Sequence, residues 1–229
     1  MNRWLRFLPV LLLGGIGSFL IGARFVVTRP AHPLTGRIIP GIATDASWLD
    51  RREREAEEDP DRALDLVGIA PGMAVADVGA GTGYMTIRIA RLVGPTGKVF
   101  ANDVQPMMLR LIQEKARQQR LGNIEIVQGL EEDARLPANA VDLALLVDVY
   151  HELHHPQMML QSIRRSLTPN GRLVLIEYRK EDPQIPIAIT HRLSVLEARA
   201  EIEAEGFALD HIAEGLPRQH VIAFRKVGP

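Results

Sequence analysis

The stretch Asp77-Val78-Gly79-Ala80-Gly81-Thr82-Gly83-Tyr84 closes a short apolar run, MAVADVG, and opens a helical one. Glycines at alternate positions permit positive φ and leave bare backbone for a ligand to approach. The helix expected from Tyr84 to Val93 starts there, so its free N–H groups and the positive end of its dipole face the same ligand. A glycine-rich turn between a strand and a helix is the ligand-binding corner of an open α/β sheet. The spacing is GxGxG, with Tyr84 where a dinucleotide fingerprint would carry its last glycine or alanine. Asp77, just before the glycines, would repel a pyrophosphate and attract an ammonium group.

Outward from this corner, strand-like and helix-like segments alternate. KVFAND, IEIVQ, VDLALLVDV and RLVLIEY read as strands, and FALDHI and HVIAFRK as two more near the end of the sequence. Helices are expected from Pro106 to Leu121, with Gly122 as the stop, from Pro156 to Leu167, and from Ser194 to Glu205. Repeated strand–helix units of this length call for parallel strands with helices on both faces. The unbroken Val/Leu/Ile content of the fourth and fifth strands agrees, because a central parallel strand is buried on both sides. The fold class is α/β, doubly wound.

Two further strand ends carry acidic groups. Asp103, in FANDVQPMML, stands where a carboxylate can accept from both ribose hydroxyls of a nucleoside. QGLEEDARLP offers Glu131, Glu132 and Asp133 to an adenine amino group, and Glu132 and Asp133 are taken as the adenine-side pair. The alternative for this turn is a solvated acidic surface.

Taken together, from about Leu49 onward, the chain resembles the class I S-adenosylmethionine-dependent methyltransferases. DVGAGTG matches that family's D/E-x-G-x-G-x-G motif, ANDVQPMM its acidic second-strand end, LPANAVDLALLVDVYHEL its fourth strand and LTPNGRLVLIEY its fifth. The resemblance implies a Rossmann-like sheet of seven strands, mostly parallel with the last antiparallel, and S-adenosyl-L-methionine as cofactor. It implies that Asp77, Gly79, Gly81 and Gly83 lie by the amino-acid part of that cofactor, Asp103 by the ribose, and Asp148 at the cleft.

The segment from Asp148 to Pro156 holds the least ordinary chemistry. His151 and Tyr150 are the candidate bases should the methyl acceptor need deprotonation. Glu177, Tyr178 and His191 are weaker candidates on the acceptor side. His151 to His155 also spells HExxH, but that zinc motif needs one continuous helix. Pro156 disfavours helical geometry at His155, so no metal is expected from it.

Arg3 and Arg6 precede an uncharged, largely apolar run from Phe7 to Ala23, after which Arg24 and Arg29 bring charge back. It sits at the short limit of the ~17–25 residues of a spanning helix and also suits a cleaved signal. Four glycines in the run weigh against a buried helix. Residues 1–27 are therefore expected to be a membrane anchor or signal, 28–48 a linker or ordered lead-in, and 49–229 the catalytic domain. The charged run LDRREREAEEDP is expected as a solvated helical surface.

The 27 basic residues nearly balance 28 acidic ones, and no basic stripe points to nucleic acid. Cysteine is absent, which excludes thiolate chemistry. The expected partner is a small-molecule acceptor, lipid-like in chemistry if the domain lies at a membrane. Because the cofactor is made in the cytosol, a cytoplasmic face is expected, with export as the alternative. Two rival functions stay open at this stage: a tethered ligand-binding protein without catalysis, and a nicotinamide-dependent oxidoreductase. Nothing in the sequence indicates an oligomeric state.

Overall fold

A computed structural model describes residues 30–228. The apolar run from Phe7 to Ala23 lies outside the described residues. Seven strands form one sheet: β1 (Ala74–Val78), β2 (Lys98–Asp103), β3 (Ile124–Gln128), β4 (Val141–Val147), β5 (Leu167–Tyr178), β6 (Phe207–Ala213) and β7 (Gln219–Lys226). Their order is β3-β2-β1-β4-β5-β7-β6. β7 pairs antiparallel with both β5 and β6, and the remaining pairs are parallel. The chain runs outward from β1 to β3 and then returns to the other side of β1. That reversal puts the switch point between β1 and β4, where open α/β sheets bind their ligands.

Side chains alternate across the sheet, and the two faces feed different cores. Leu143 and Leu145 of β4, with Val174 and Ile176 of β5, pack in one cluster; Ala144 and Leu146, with Leu173 and Leu175, pack in the other. The first face is covered by helices α3 (Pro60–Val67) and α4 (Tyr84–Val93), and α5 (Pro106–Gln118) packs on Ala101 of β2. The second is covered by α6 (Pro156–Ser166) and α7 (Val195–Glu203). Both faces are buried, as the continuous apolar strands require. Leu145 is fully buried, and cutting it back to alanine would cost about 2–5 kcal/mol.

Helix ends follow local chemistry. Ser194 and Glu197 form a reciprocal capping box at the start of α7. α5 stops earlier than the sequence suggests: Arg120, not Gly122, takes the left-handed conformation, with φ 55°. The Leu121 N–H then reaches back to the Ala116 carbonyl, closing the helix without glycine. Two short helices, α1 (Ala46–Leu49) and α2 (Arg54–Glu58), precede α3.

Residues 30–43 run as a packed strap. Ile39 and His32 are buried, and the Arg37 guanidinium joins Glu201 of α7 to the His151 carbonyl. The strap reaches the site through the Ala43 N–H, which donates to Glu152, and the Ala43 carbonyl, which accepts from Gln105.

Candidate active site

A cavity of about 470 Å³ opens above the carboxyl ends of β1, β2, β4 and β5, a size suited to a cofactor-scale ligand. Its floor is the glycine loop. The Gly79 and Ala80 N–H groups both donate to the Asn102 carbonyl, and the Gly81 N–H donates to Asp103 Oδ2 at 2.8 Å. Those loop amides are therefore taken up within the fold, and the loop contributes shape rather than donors. Gly79 has φ 73°, and a Cβ there would fall 2.6 Å from the Val149 methyls. Only glycine fits where this loop meets the segment after β4.

Three carboxylates from separate strand ends face the same space: Asp77, Asp103 and Asp148. Burial, reinforced by the charge of Asp103, pushes Asp77 up to about 6, against a short hydrogen bond of 2.5 Å from Thr86 Oγ1. Burial likewise raises Asp103, against hydrogen bonds from the Gln105 and Gly81 amides. Burial also raises Asp148 well above the usual carboxylate range, and Glu58 and Glu177 add to it. Asp148 adopts φ 54°, accepts from Gln219 Nε2 at 2.7 Å, and keeps its Oδ1 buried without a partner. Arg54 is the cation that acts on Asp77 and Asp148, but its Nε is paired with Glu58 at 2.7 Å and it stacks on the Tyr84 ring. Such a site favours a ligand that brings positive charge, which is what an ammonium and a sulfonium provide.

The charged run before α3 is a solvated surface only in part: Asp50, Arg52, Glu53, Glu55 and Asp59 are exposed. Arg54 and Glu58 are buried and line the cavity, and the Glu58 carboxylate also accepts from the Tyr178 hydroxyl. The i,i+4 spacing of Arg54 and Glu58 lets them neutralise each other on the inward face. The run thus closes the cavity, stitched down by Thr82 Oγ1 to Asp50 at 2.7 Å and Lys115 to Asp50 at 2.8 Å.

Past β4, a single 3₁₀ turn, Tyr150–Glu152, presents His151 and Glu152. His151 Nδ1 lies 2.7 Å from Glu177 Oε2, and its Nε2 lies 3.2 Å from Nδ1 of His191. Burial lowers the affinity of His151 for a proton, but Glu177, Glu152 and Asp148 together outweigh that and the net shift is upward. Burial and the neighbouring His151 lower His191. Burial raises Glu152, whose Oε2 accepts from the Ala43 N–H at 3.0 Å. The remaining wall is apolar: Leu49, Leu153, Ile187 and Ala188, with Trp48 at the mouth.

Asp77, Gly79, Gly81, Asp103, Asp148 and His151 all line this cavity. Three expectations are corrected. Tyr150 is fully buried in the core and does not line the cavity, so it cannot meet an acceptor there. Glu132 and Asp133 turn away; Asp133 is engaged by Ser162 Oγ and the Arg135 N–H, and the acidic residue of that turn that reaches the cavity is Glu131. Gly83 caps α4 beside Ile112 rather than touching the cavity. The HExxH pair does not share a helix, in line with Pro156: His155 sits at the N-cap of α6, off the turn that carries His151.

A nucleoside corner bearing three carboxylates, at the switch point of a seven-stranded sheet with one antiparallel strand, defines an α/β enzyme built for a cationic nucleoside. Residues 69–214 match the family described as "Methyltransferase domain", and the chain belongs to the class I S-adenosylmethionine-dependent methyltransferases. S-adenosyl-L-methionine is its cofactor, which sets the nicotinamide alternative aside. Among solved structures, a SAM-dependent methyltransferase from Aquifex aeolicus is 29% identical with a TM-score of 0.75, covering 81% of this chain and 100% of that one. A protein of Ectopseudomonas mendocina named "Ubiquinone/menaquinone biosynthesis C-methyltransferase UbiE" is 33% identical over 118 residues, 51% of this chain and 46% of that protein. Its namesake in Salmonella arizonae is 35% identical over the same length, covering 51% of this chain and 47% of its own. The chain thus spans about half the length of these curated relatives.

Proposed function

We propose that this protein transfers a methyl group from S-adenosylmethionine to a small, largely apolar acceptor bearing an ionisable hydroxyl. The observation that carries this reading is the division of one cavity along the sheet edge. Above β1 and β2 stand Asp77 and Asp103, suited to the amino-acid and ribose parts of the cofactor. Above β4 and β5 stand His151, Glu152 and the apolar wall of Leu153, Ile187 and Ala188. When bound, the cofactor supplies an electrophilic methyl on a positively charged sulfur.

The chain's own residues have three tasks. The glycine loop and Asp103 fix the cofactor end, and the segment Trp48–Glu58 keeps water out. Glu177 orients His151 so that Nε2 turns to the acceptor side, where it can take a hydroxyl proton. Ionising a ring or enol hydroxyl makes the adjacent carbon nucleophilic, so this arrangement suits methylation at carbon as well as oxygen. The curated relatives carry a name for C-methylation in quinone biosynthesis, which favours a ring acceptor and small-molecule rather than nucleic-acid chemistry.

The same reading makes residues 1–27 a membrane anchor with the domain on the cytoplasmic side, where the cofactor is made and a lipid-soluble acceptor is within reach. Membrane fractionation with protease protection of intact cells tests this: a soluble or externally cleaved domain would refute it. The activity is tested with the full-length chain in mild detergent. Calorimetric titration with S-adenosylmethionine, its demethylated product and NADH should give binding of the first two alone. Incubation with methyl-labelled cofactor and hydroxylated ring lipids should then label one acceptor class. Failure to bind the cofactor would sink the proposal.

A further inference from the structure

We propose that His151, Glu152 and His191 form a site for one divalent transition-metal ion, of the zinc type, at the acceptor end of the cavity. The three donors are His151 Nε2, His191 Nδ1 and Glu152 Oε1. They lie 3.2 Å (His151 to His191), 3.7 Å (His151 to Glu152) and 3.6 Å (His191 to Glu152) from one another. Tetrahedral donors each ~2.1 Å from zinc stand roughly 3.4 Å apart, so an ion fits among these atoms with shifts of a few tenths of an ångström. Two imidazoles and a carboxylate are a borderline donor set that suits zinc, cobalt or ferrous iron over magnesium or calcium.

The surroundings support an ion. His151 Nδ1 is held at 2.7 Å by the fully buried Glu177 carboxylate, which fixes the tautomer that leaves Nε2 bare; carboxylate–histidine–metal arrays are built this way. Glu152 is steadied by its other oxygen, Oε2, on the Ala43 amide. Glu152 Oε1 and Glu177 Oε2 stand 3.7 Å and 2.7 Å from the two ring nitrogens of His151, while the neighbouring Arg37 is already committed to Glu201. A dication would offset these two carboxylates. These donors differ from the HExxH pair, because His155 is replaced by His191, 40 residues along the chain from His151.

All three donors border the cavity. Three protein ligands leave a fourth position open to the cavity for water or for an acceptor oxygen. A hydroxyl bound there would pass its proton to cavity water more easily, the ion stabilising the oxyanion left behind, since His151 Nε2 would then be a ligand and not the base. That last role rests on the methyl-transfer reading; the ion site does not.

The test uses the full-length chain without a polyhistidine tag, stripped with chelator and titrated with Zn2+ by calorimetry and with Co2+ by visible absorption. The proposal expects one ion per chain and the strong absorption of four-coordinate cobalt. His191→Ala and Glu152→Gln should each abolish stoichiometric binding, and Glu177→Gln should weaken it roughly 10–100-fold. Circular dichroism and S-adenosylmethionine binding report that the variants are folded. A folded wild-type chain that takes up no ion, or that binds zinc no better than His191→Ala, overturns the site. Zinc uptake that follows these residues while cofactor binding is absent from every chain would retain the site and reject the methyl-transfer reading.

Discussion

Arg37 grips Glu201 at two points, 3.1 Å from Nε and 2.9 Å from Nη2, with both side chains buried. Its third nitrogen, Nη1, donates to the His151 carbonyl at 2.9 Å. One side chain from the strap therefore ties α7 to the turn that presents His151. Removing Arg37 leaves the buried Glu201 carboxyl without its guanidinium partner. Arg37→Ala should lower stability by about 3–5 kcal/mol, read as a shift in the urea midpoint. Replacing both partners, as in Arg37→Met with Glu201→Leu, should recover much of that loss; a double variant no more stable than Arg37→Ala would contradict the account.

The contact between Gly79 and Val149 makes a prediction of steric origin. Gly79→Ala places a methyl 2.6 Å from the Val149 side chain and strains a backbone at φ 73°. The expected cost is about 1–3 kcal/mol from overpacking, with loss of cofactor binding. Val149→Ala in the same chain removes the clash but not the backbone strain, so thermal melting should show partial recovery. Full recovery, or none, would mean that the clash and the strain were wrongly apportioned.

Cofactor affinity should depend on pH through Asp77, which keeps its proton up to about 6 in the ligand-free fold because it is buried. Thr86, Asp103 and Arg54 are the groups acting on it. An ammonium ligand needs the ionised form, so affinity should fall as pH drops below 6, approaching roughly ten-fold per unit. For the ligand-free fold the sign is opposite. The raised folded pKa favours the fold below the ordinary value of 3.8, and that contribution is lost as pH rises through about 6. Titrations at several pH values with Asp77→Asn beside the wild type should show a steeper fall in the wild type, Asp103 and Asp148 keeping a residual slope in the variant.

His151 and Asp103 should separate turnover from binding. His151→Ala is expected to lower kcat by ~10²–10⁴ and leave the cofactor Kd unchanged. Asp103→Ala should do the reverse, losing about 2 kcal/mol of cofactor affinity, or roughly 30-fold. Single-turnover assays paired with calorimetry check both arms. A His151 variant with normal turnover across several acceptors would remove that residue from the chemistry.

Much of the fold was legible because its signals are local. The glycines after β1, the apolar runs of β4 and β5 and the Ser194–Glu197 cap each act over a few residues, and each element formed where its own chemistry put it. The end of α5 departs from the sequence expectation, since Gly122 is the better left-handed residue in isolation. Arg120 takes that conformation as the chain turns toward β3.

The site was legible in part. Asp77, Gly79 and Asp103 are placed by strand ends that the sequence marks. Among Glu131, Glu132 and Asp133 no pattern distinguishes the inward residue. The choice is made by Ser162 and the Arg135 amide, which hold Asp133 outward. The charged run before α3 looked solvated because helical periodicity cannot show that Arg54 and Glu58 face a wall containing Tyr84 and Tyr178.

The sequence by itself determined the sheet, the nucleoside corner and the family, because short-range spacing and alternating burial decide them. Only the tertiary structure decided that Glu177, His151 and His191 meet, and that Arg37 reaches Glu201. Those groups lie 26, 40 and 164 residues apart along the chain. Packing against the sheet, rather than any local preference, brings them within hydrogen-bond distance.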